Sequence, residues 1–261
     1  MIRLAVQDRL IPGVGVRARF ERARAFGFDA IELNEPPVLE NARQAARERV
    51  TISAICGGYR GWLIDPDPAQ VDLARRDIAA LLDAGAVLGA PCIVVPIWGR
   101  TRHLPLTATG RTHDEDEALF LEGMGELAAH AEEVGATLLI EPINRYQNDV
   151  CVTASDALRL RERVASPAVG VMLDVFHMNI EESSLSAAIA QVDGALGYVH
   201  LADNQRLEPG TGHLDFETIF TSLGRIGYSG YGSLECAGLS APAEIALPAS
   251  AKFLRDRMRD A

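Results

Sequence analysis

Short, continuous apolar runs alternate along the chain with longer stretches whose apolar residues recur at helical spacing. A run that is continuously apolar, rather than alternating with polar residues, is typical of a strand covered on both faces, as in a parallel sheet. Eight such runs are therefore predicted to be strands: Ile2–Val6, Asp29–Leu33, Val50–Ile55, Pro91–Pro96, Ala136–Glu141, Val169–Asp174, Ala195–His200 and Gly230–Glu235.

A helical pattern follows each predicted strand, which gives eight strand–helix units. Eight units in about 250 residues are typical of a (β/α)8 TIM barrel, which is an α/β fold. No break in composition marks a second domain, so residues 1–261 are predicted to form a single domain. An open doubly wound sheet is the alternative, but Gly13-Val-Gly15 lacks the rest of a dinucleotide-binding fingerprint. The predicted helices are Val16–Phe26, Val38–Arg49, Pro68–Leu88, Asp114–Val134, Ser155–Val164, Leu185–Val192, Phe216–Ile226 and Pro242–Met258.

The charge of the chain narrows the classes of partner. A formal net charge of -11 argues against nucleic acid, whose phosphates require a basic surface. The chain has no long apolar span of the kind that predicts a membrane helix. The first residues pass straight into a predicted strand, so they do not resemble a signal peptide. Cys56, Cys92, Cys151 and Cys236 are widely spaced, which predicts free thiols and a cytoplasmic location.

Lysine is almost absent from the chain, and Lys252 near its end is the only one. Schiff-base chemistry in a barrel needs a lysine that points into the site. The sequence therefore argues against an aldolase that works through a lysine Schiff base.

Polar groups end four consecutive predicted strands: Glu141, Asp174, His200 and Glu235. In a barrel of this kind the active site lies at the carboxyl ends of the strands, so these side chains are expected to converge. Three carboxylates and one imidazole suit a divalent cation; Mn²⁺ is favoured, with Mg²⁺, Co²⁺ and Zn²⁺ as alternatives. For any one of them taken alone, a buried ion pair or a helix N-cap is the competing interpretation.

Four segments of the second half resemble the xylose-isomerase-like TIM barrels, and within them the sugar isomerase/epimerase branch, which includes ketose 3-epimerases and hydroxypyruvate isomerases. The first half matches only by pattern. The segments are Ile140-Glu-Pro-Ile-Asn-Arg-Tyr146, Asp174-Val-Phe-His-Met-Asn-Ile-Glu-Glu182, His200-Leu-Ala-Asp-Asn-Gln-Arg206 and Pro209-Gly-Thr-Gly-His-Leu-Asp215.

The resemblance implies that the four strand-end residues hold one divalent metal ion, and that Glu141 and Glu235 double as the acid and base. It also implies that His177 and Arg206 contact substrate oxygens. Proton removal next to a carbonyl needs a base and an electrophile that stabilises the resulting enediolate, and a metal is a suitable electrophile. Return of the proton to the same carbon gives epimerisation, and return to the adjacent carbon gives aldose–ketose isomerisation.

One position departs from the family pattern. Ketose 3-epimerases have a sugar-contacting glutamate six residues after the first metal-binding glutamate, and this chain has Gln147 there. Glutamine still donates and accepts hydrogen bonds but cannot act as a base, so the departure bears on the substrate more than on the metal. We expect a small sugar or related carbonyl substrate, no nucleic acid or membrane partner, and a chain compatible with a homo-oligomer.

Several residues have a purely structural alternative. His177 is also read as a helix cap or a packed histidine, and Arg206 as an ion-pair partner of Asp203 or Glu208. Glu32 is expected to line the barrel mouth or to form a salt bridge. The remaining expectations are an apolar wall from Tyr59, Trp62 and Trp98, a turn and an N-cap from His213 and Asp215, and surface positions for His103, His113 and His130.

Three other functions compete with the isomerase interpretation. Enzymes of the endonuclease IV type hold three zinc ions and need histidines after the early strands, whereas here Gly57-Gly58-Tyr59 and Ile97-Trp98-Gly99 stand there. Dehydratases of the inosose or dehydroshikimate type also abstract a proton beside a metal and stay open. An inactive sugar-binding barrel is a further alternative, because a fold alone does not prove activity.

Overall fold

The computed structural model describes residues 2–97 and 109–260. Within them, eight parallel strands pair in chain order and β8 closes on β1, which forms a barrel. The predicted (β/α)8 fold is therefore confirmed. The strands are β1 Arg3–Gln7, β2 Ala30–Leu33, β3 Ile52–Cys56, β4 Cys92–Val94, β5 Leu138–Ile140, β6 Val169–Asp174, β7 Leu196–Leu201 and β8 Tyr231–Leu234.

Helices connect successive strands, and a short 3₁₀ turn, Asp8–Leu10, follows β1. Side-chain caps begin several of them: Asp67 caps α3, and Thr112 with Glu115 forms a capping box on α4. The described helices are α1 Val16–Ala25, α2 Val38–Glu48, α3 Pro68–Leu88, α4 His113–Val134, α5 Ala154–Val164, α6 Val175–Glu181, α7 Leu185–Gln191, α8 Phe216–Arg225 and α9 Ala243–Asp260.

The apolar residues form two layers, one on each face of the barrel wall. The larger layer lies between the strands and the surrounding helices, and includes Leu138, Ile140, Val171 and Leu173. The smaller layer fills the barrel interior with side chains at alternate strand positions: Ala54, Cys56, Ile93, Leu139, Met172 and Tyr198. Both faces are therefore apolar, which explains the continuous apolar runs of the sequence.

The structure corrects the predicted elements in two respects. Helix α6 was not predicted, because it follows β6 without a connecting loop: Asp174, the last residue of β6, begins it by accepting a hydrogen bond from the Phe176 backbone N–H. Strands β4 and β5 contain three residues each rather than the six predicted. Glu141 therefore lies one residue beyond β5, although its N–H still bonds to the Val94 carbonyl.

Candidate metal and substrate site

Four side chains from neighbouring strands meet at the carboxyl end of the barrel. Glu141 follows β5, Asp174 ends β6, His200 lies in β7 and Glu235 follows β8. One ligand atom from each of them lies within 4.8 Å of the others. Asp174 and His200 are fully buried, and the pairing of these two residues across β6 and β7 fixes their relative height. The structure thus brings together the four residues that the sequence predicted to converge.

The Nδ1 atom of His200 is central to this cluster. It lies 2.7 Å from Glu235 Oε2, 3.4 Å from Glu141 Oε1 and 3.7 Å from Asp174 Oδ2. Even so, it is buried and makes no hydrogen bond to any of the described residues. A buried nitrogen among three carboxylates that makes no hydrogen bond fits a divalent cation between them, since such a cation takes oxygen and imidazole ligands.

The positively charged guanidinium of Arg206 contacts this cluster. Its guanidinium donates to Asp174 Oδ2 at 2.5 Å and to Glu235 Oε2 at 2.7 Å. The predicted alternative, an ion pair with Asp203 or Glu208, is therefore wrong. The backbone of Arg206 adopts a left-handed φ of 62°, held by its N–H to Asp203 O and by the Ala237 N–H to its carbonyl.

The two glutamates differ in their affinity for a proton. Burial raises the pKa of Glu141 to about 7, although His200 opposes the shift. Burial acts in the same direction on Glu235, but His200 and Arg206 outweigh it and hold its pKa at about 2. Such a pair contains one carboxyl group that can carry a proton at neutral pH and one carboxylate that can accept one.

Asp174 and His200 are stabilised in their charged forms. Burial of Asp174 is outweighed by Arg206 and His177, so the pKa of this carboxyl lies well below its ordinary value. Burial of His200 opposes its charge, but Glu235 and Glu32 raise the pKa of the ring well above its ordinary value. Without a bound cation, therefore, the imidazolium and the guanidinium compensate the charge of the carboxylates.

His177 lies inside α6 and lines a cavity beside the four-residue cluster. Its Nδ1 is 2.7 Å from the side-chain nitrogen of Asn144, and its Nε2 is 3.8 Å from Asp174 Oδ2. Burial lowers its pKa to about 4, so the ring is neutral at pH 7. The cap of α6 is Asp174, so the helix-cap interpretation of His177 is wrong.

Beside the cluster lies a cavity of about 710 Å³, with Glu141, His177, Arg206 and Glu235 in its wall. Tyr59 and Trp62 line it as predicted, in an edge-to-face contact with ring centroids 5.6 Å apart. The third predicted aromatic, Trp98, lies outside the described residues. The volume is within the range of small-molecule sites, about 300–1,000 Å³.

Gln147 also lines the cavity, and its Oε1 atom is buried without a hydrogen bond to the described part of the chain. The side-chain amide of Gln147 can donate and accept hydrogen bonds, so a residue on this wall is suited to contact a ligand hydroxyl. The structure therefore places the one residue that departs from the family pattern on the cavity wall.

Sequence reasoning missed Arg9 and Asn144. Arg9 lines the cavity, and its Nε atom donates to Gln7 Oε1 at 2.8 Å. Asn144 holds His177, as described above. Neither stands at a predicted strand end, and the one available signal was that each lies a few residues after a strand, in the loops that build barrel sites.

The other predicted residues have structural roles. Asp215 is the N-cap of α8, as predicted, and His130 bonds to Asp83 at 2.8 Å on the surface. His113 is half-exposed, and His103 lies outside the described residues. All four cysteines are buried free thiols.

A family model described as the xylose isomerase-like TIM barrel matches residues 20–257. The chain belongs to this family. The resemblance inferred from the second half of the sequence is thereby confirmed, and the family match extends into the first half as well.

Curated relatives are named as epimerases and isomerases. The 3-dehydro-D-guloside 4-epimerase of Escherichia coli (strain K12) is 32% identical over 236 residues, or 88% of this chain and 90% of that protein. The ketose 3-epimerase of Arthrobacter globiformis is 31% identical over 224 residues, or 83% and 75% of the two chains. These relatives confirm the predicted enzyme class, an isomerase or epimerase.

Solved structures show the same architecture. The apo crystal structure of 3-keto-D-glucoside 4-epimerase from E. coli has a TM-score of 0.91 at 29% identity, covering 98% of this chain and 100% of that one. D-allulose 3-epimerase from Methylomonas sp., in complex with D-allulose, has a TM-score of 0.82 at 21% identity, which shows the fold alone; the alignment covers 98% of this chain and 97% of that one.

Among the described helices, none has the length and apolarity needed to cross a bilayer.

Proposed function

We propose that this protein is a divalent-metal-dependent sugar epimerase that acts at the carbon next to a ketone. The observation that carries the proposal is the convergence of Glu141, Asp174, His200 and Glu235 within 4.8 Å of one another, beside a cavity large enough for a sugar. Two carboxyl groups that reach the same reaction centre from separate strands are what proton removal and return require.

In this proposal the four residues hold one cation, of which Mn²⁺ is the favoured identity. When bound, the cation would supply a Lewis acid for the negative charge that develops on the substrate oxygens. Glu141 and Glu235 exchange the proton with the substrate carbon, one removing it and the other returning it. Return to the same carbon from the opposite side inverts its configuration, and return to the neighbouring carbon would give isomerisation instead.

His177, Arg206 and Gln147 would orient the sugar. The neutral ring of His177 and the amide of Gln147 offer hydrogen bonds to hydroxyl groups, and the guanidinium of Arg206 offers a charged one. All three line the cavity. Tyr59 and Trp62 supply apolar faces suited to the C–H face of a sugar ring.

The names of the relatives support a keto sugar as the substrate class. Two of them are a 3-dehydro-D-guloside 4-epimerase and a ketose 3-epimerase, so both invert a carbon next to a carbonyl. Gln147 replaces the glutamate that ketose 3-epimerases use to contact their sugar. We therefore favour a keto glycoside over a free ketose.

The test is a panel of 3-keto glycosides and free ketoses incubated with the Mn²⁺-loaded enzyme in D₂O and followed by NMR. The proposal predicts an epimer that carries deuterium at the inverted carbon. Glu141→Gln and Glu235→Gln should each abolish the exchange, whereas Glu48→Gln, which ends α2 and does not line the cavity, should leave it intact. Loss of water without interconversion of sugars would instead identify a dehydratase, and product without deuterium would exclude proton exchange with solvent.

A further inference from the structure

Glu32 lies at the barrel interior behind the four-residue cluster and is fully buried. Its carboxylate lies 3.1 Å from the Nε2 atom of His200, on the side of the ring that faces away from Glu141 and Glu235. The sequence offered two interpretations for Glu32, and the structure shows the second, a contact with a neighbouring ionisable group. This contact determines which nitrogen of the His200 ring carries the hydrogen.

A carboxylate is only an acceptor, so the nitrogen that faces it must carry the hydrogen. Neutral imidazole has one N–H and one lone pair. If Glu32 fixes the hydrogen on Nε2, then the lone pair is on Nδ1, the atom that lies 2.7–3.7 Å from the three carboxylates of the cluster. The contact thus selects the ring form in which His200 can donate to a cation.

Two neutral donors hold Glu32 in this position. Gln7 Nε2 donates to Glu32 Oε1 at 2.8 Å, and the Tyr198 hydroxyl donates to Oε2 at 2.9 Å. The Tyr198 hydroxyl also lies 2.6 Å from Ser53 Oγ, which itself lies 3.2 Å from the Ile31 carbonyl. Gln7, Glu32, Ser53 and Tyr198 are all buried, so water does not compete for these bonds.

A second cation site is the alternative, since Glu32, Cys56 and His200 also lie within 4.8 Å of one another. A cation between Glu32 and Cys56 would need the lone pair of His200 Nε2, the atom that lies 3.1 Å from Glu32 Oε2. A neutral imidazole also has only one lone pair, and the cluster of three carboxylates faces the other nitrogen. The geometry therefore favours support of His200 by Glu32 over a second ion.

We propose that Glu32 is a positioning residue that fixes His200 with its hydrogen on Nε2, so that Nδ1 is the metal ligand. The inference rests on the proposed metal site. Loss of such a supporting carboxylate typically weakens metal affinity by about ten- to a hundredfold. Glu32 itself touches neither the cation nor the sugar in this arrangement.

The first arm of the test compares Mn²⁺ dissociation constants, measured by EPR, in wild type, Glu32→Gln and Glu48→Gln. The amide of Glu32→Gln has nearly the same shape but can donate to Nε2, which favours the wrong ring form. Its dissociation constant should rise by about ten- to a hundredfold, with no change in Glu48→Gln. A folded Glu32→Gln whose affinity stays within about twofold of wild type would overturn the role of Glu32.

The second arm reads the ring directly and needs no variant. Long-range ¹H–¹⁵N NMR of the Zn²⁺-loaded wild-type enzyme, labelled at histidine, should show His200 protonated at Nε2 and bound through Nδ1. Ligation through Nε2 would overturn the inference even if Glu32→Gln fails to fold. A wild type that binds neither Mn²⁺ nor Zn²⁺ would instead remove the metal site itself, and the two failures are thereby distinguished.

Discussion

Arg206 Nη1 lies 2.5 Å from Asp174 Oδ2, so a fixed cation contacts one of the four proposed metal ligands. The same guanidinium reaches Glu235. Arg206 therefore offsets part of the repulsion among buried carboxylates while it also borders the cavity. Because Arg206 lines the cavity, it is also placed to contact a substrate.

Replacement of Arg206 by glutamine should lower kcat/KM and leave the metal content unchanged. A hydrogen bond from a charged group contributes about 1.5–3 kcal/mol, so the expected loss is about ten- to a hundredfold. Steady-state kinetics and metal analysis of Arg206→Gln should be compared with Arg225→Gln, at the surface end of α8. Loss of metal from Arg206→Gln alone would show that the arginine organises the ligands and would contradict a separate substrate role.

Replacement of Gln147 by glutamate should change substrate preference without changing the metal content. Gln147 lines the cavity, and its buried amide oxygen has no hydrogen bond in the described residues, so a charged carboxylate at this position alters which ligands the cavity wall accepts. The expected result is a lower KM for free ketoses relative to keto glycosides. An unaltered ratio of kcat/KM across the panel would show that position 147 does not select the substrate.

The loop after β3 should be sensitive to a single methyl group at Gly61. A Cβ added there would lie 2.2 Å from Gln70 O, and the φ of +68° disfavours any other residue. Gly89, which ends α3 with φ +64°, has nothing within 4 Å of an added Cβ. Gly89→Ala should cost only the backbone strain, about 1–2 kcal/mol, and Gly61→Ala distinctly more. Equal unfolding free energies in denaturant would contradict this.

The same loop is tied to α3 by an ion pair with a predictable pH dependence. Arg60 forms a fork with Asp77 at 2.8 Å, and these hydrogen bonds hold the pKa of Asp77 below its ordinary value of 3.8. The stability it contributes is therefore present above pH 3.8 and is lost as the pH falls through the folded-state value. Asp77→Asn should lower Tm slightly at pH 7, and the difference should shrink as the pH falls below 3.8; a difference that does not change with pH would exclude the ion pair as its cause.

Much of the barrel could be predicted because each strand is apolar on both faces. The bounds of β6 agree with the prediction at both ends, and the regular spacing of strand ends placed Glu141, Asp174, His200 and Glu235 at one rim. Strand length was less predictable where proline and polar residues leave the ladder. β4 ends at Val94, two residues before Pro96, whose nitrogen has no hydrogen to donate.

The partners of Arg206 could not be read from the sequence. Asp203 and Glu208 are closer along the chain, but both organise loops: Asp203 accepts backbone N–H groups from Gly210 and Leu214, and Glu208 accepts that of Ser240. The carboxylates of Asp203 and Glu208 therefore have backbone N–H groups as partners in place of the Arg206 guanidinium.

The contact between Glu32 and His200 is likewise hidden in the sequence. It joins residues 168 positions apart, which meet only because the barrel closes. Sequence spacing indicates which residues share a rim, but not which side chains meet across the barrel interior.

The central claim is that one cation is held by four side chains, and metal content tests it most directly. Wild type, Asp174→Asn and Asp215→Asn should be loaded with Mn²⁺, desalted and analysed for metal per chain. Both aspartates cap helices, and asparagine caps equally well, so folding is matched between the variants. Wild type and Asp215→Asn should each retain about one ion per chain, and Asp174→Asn should retain far less. Equal metal in all three would contradict the site.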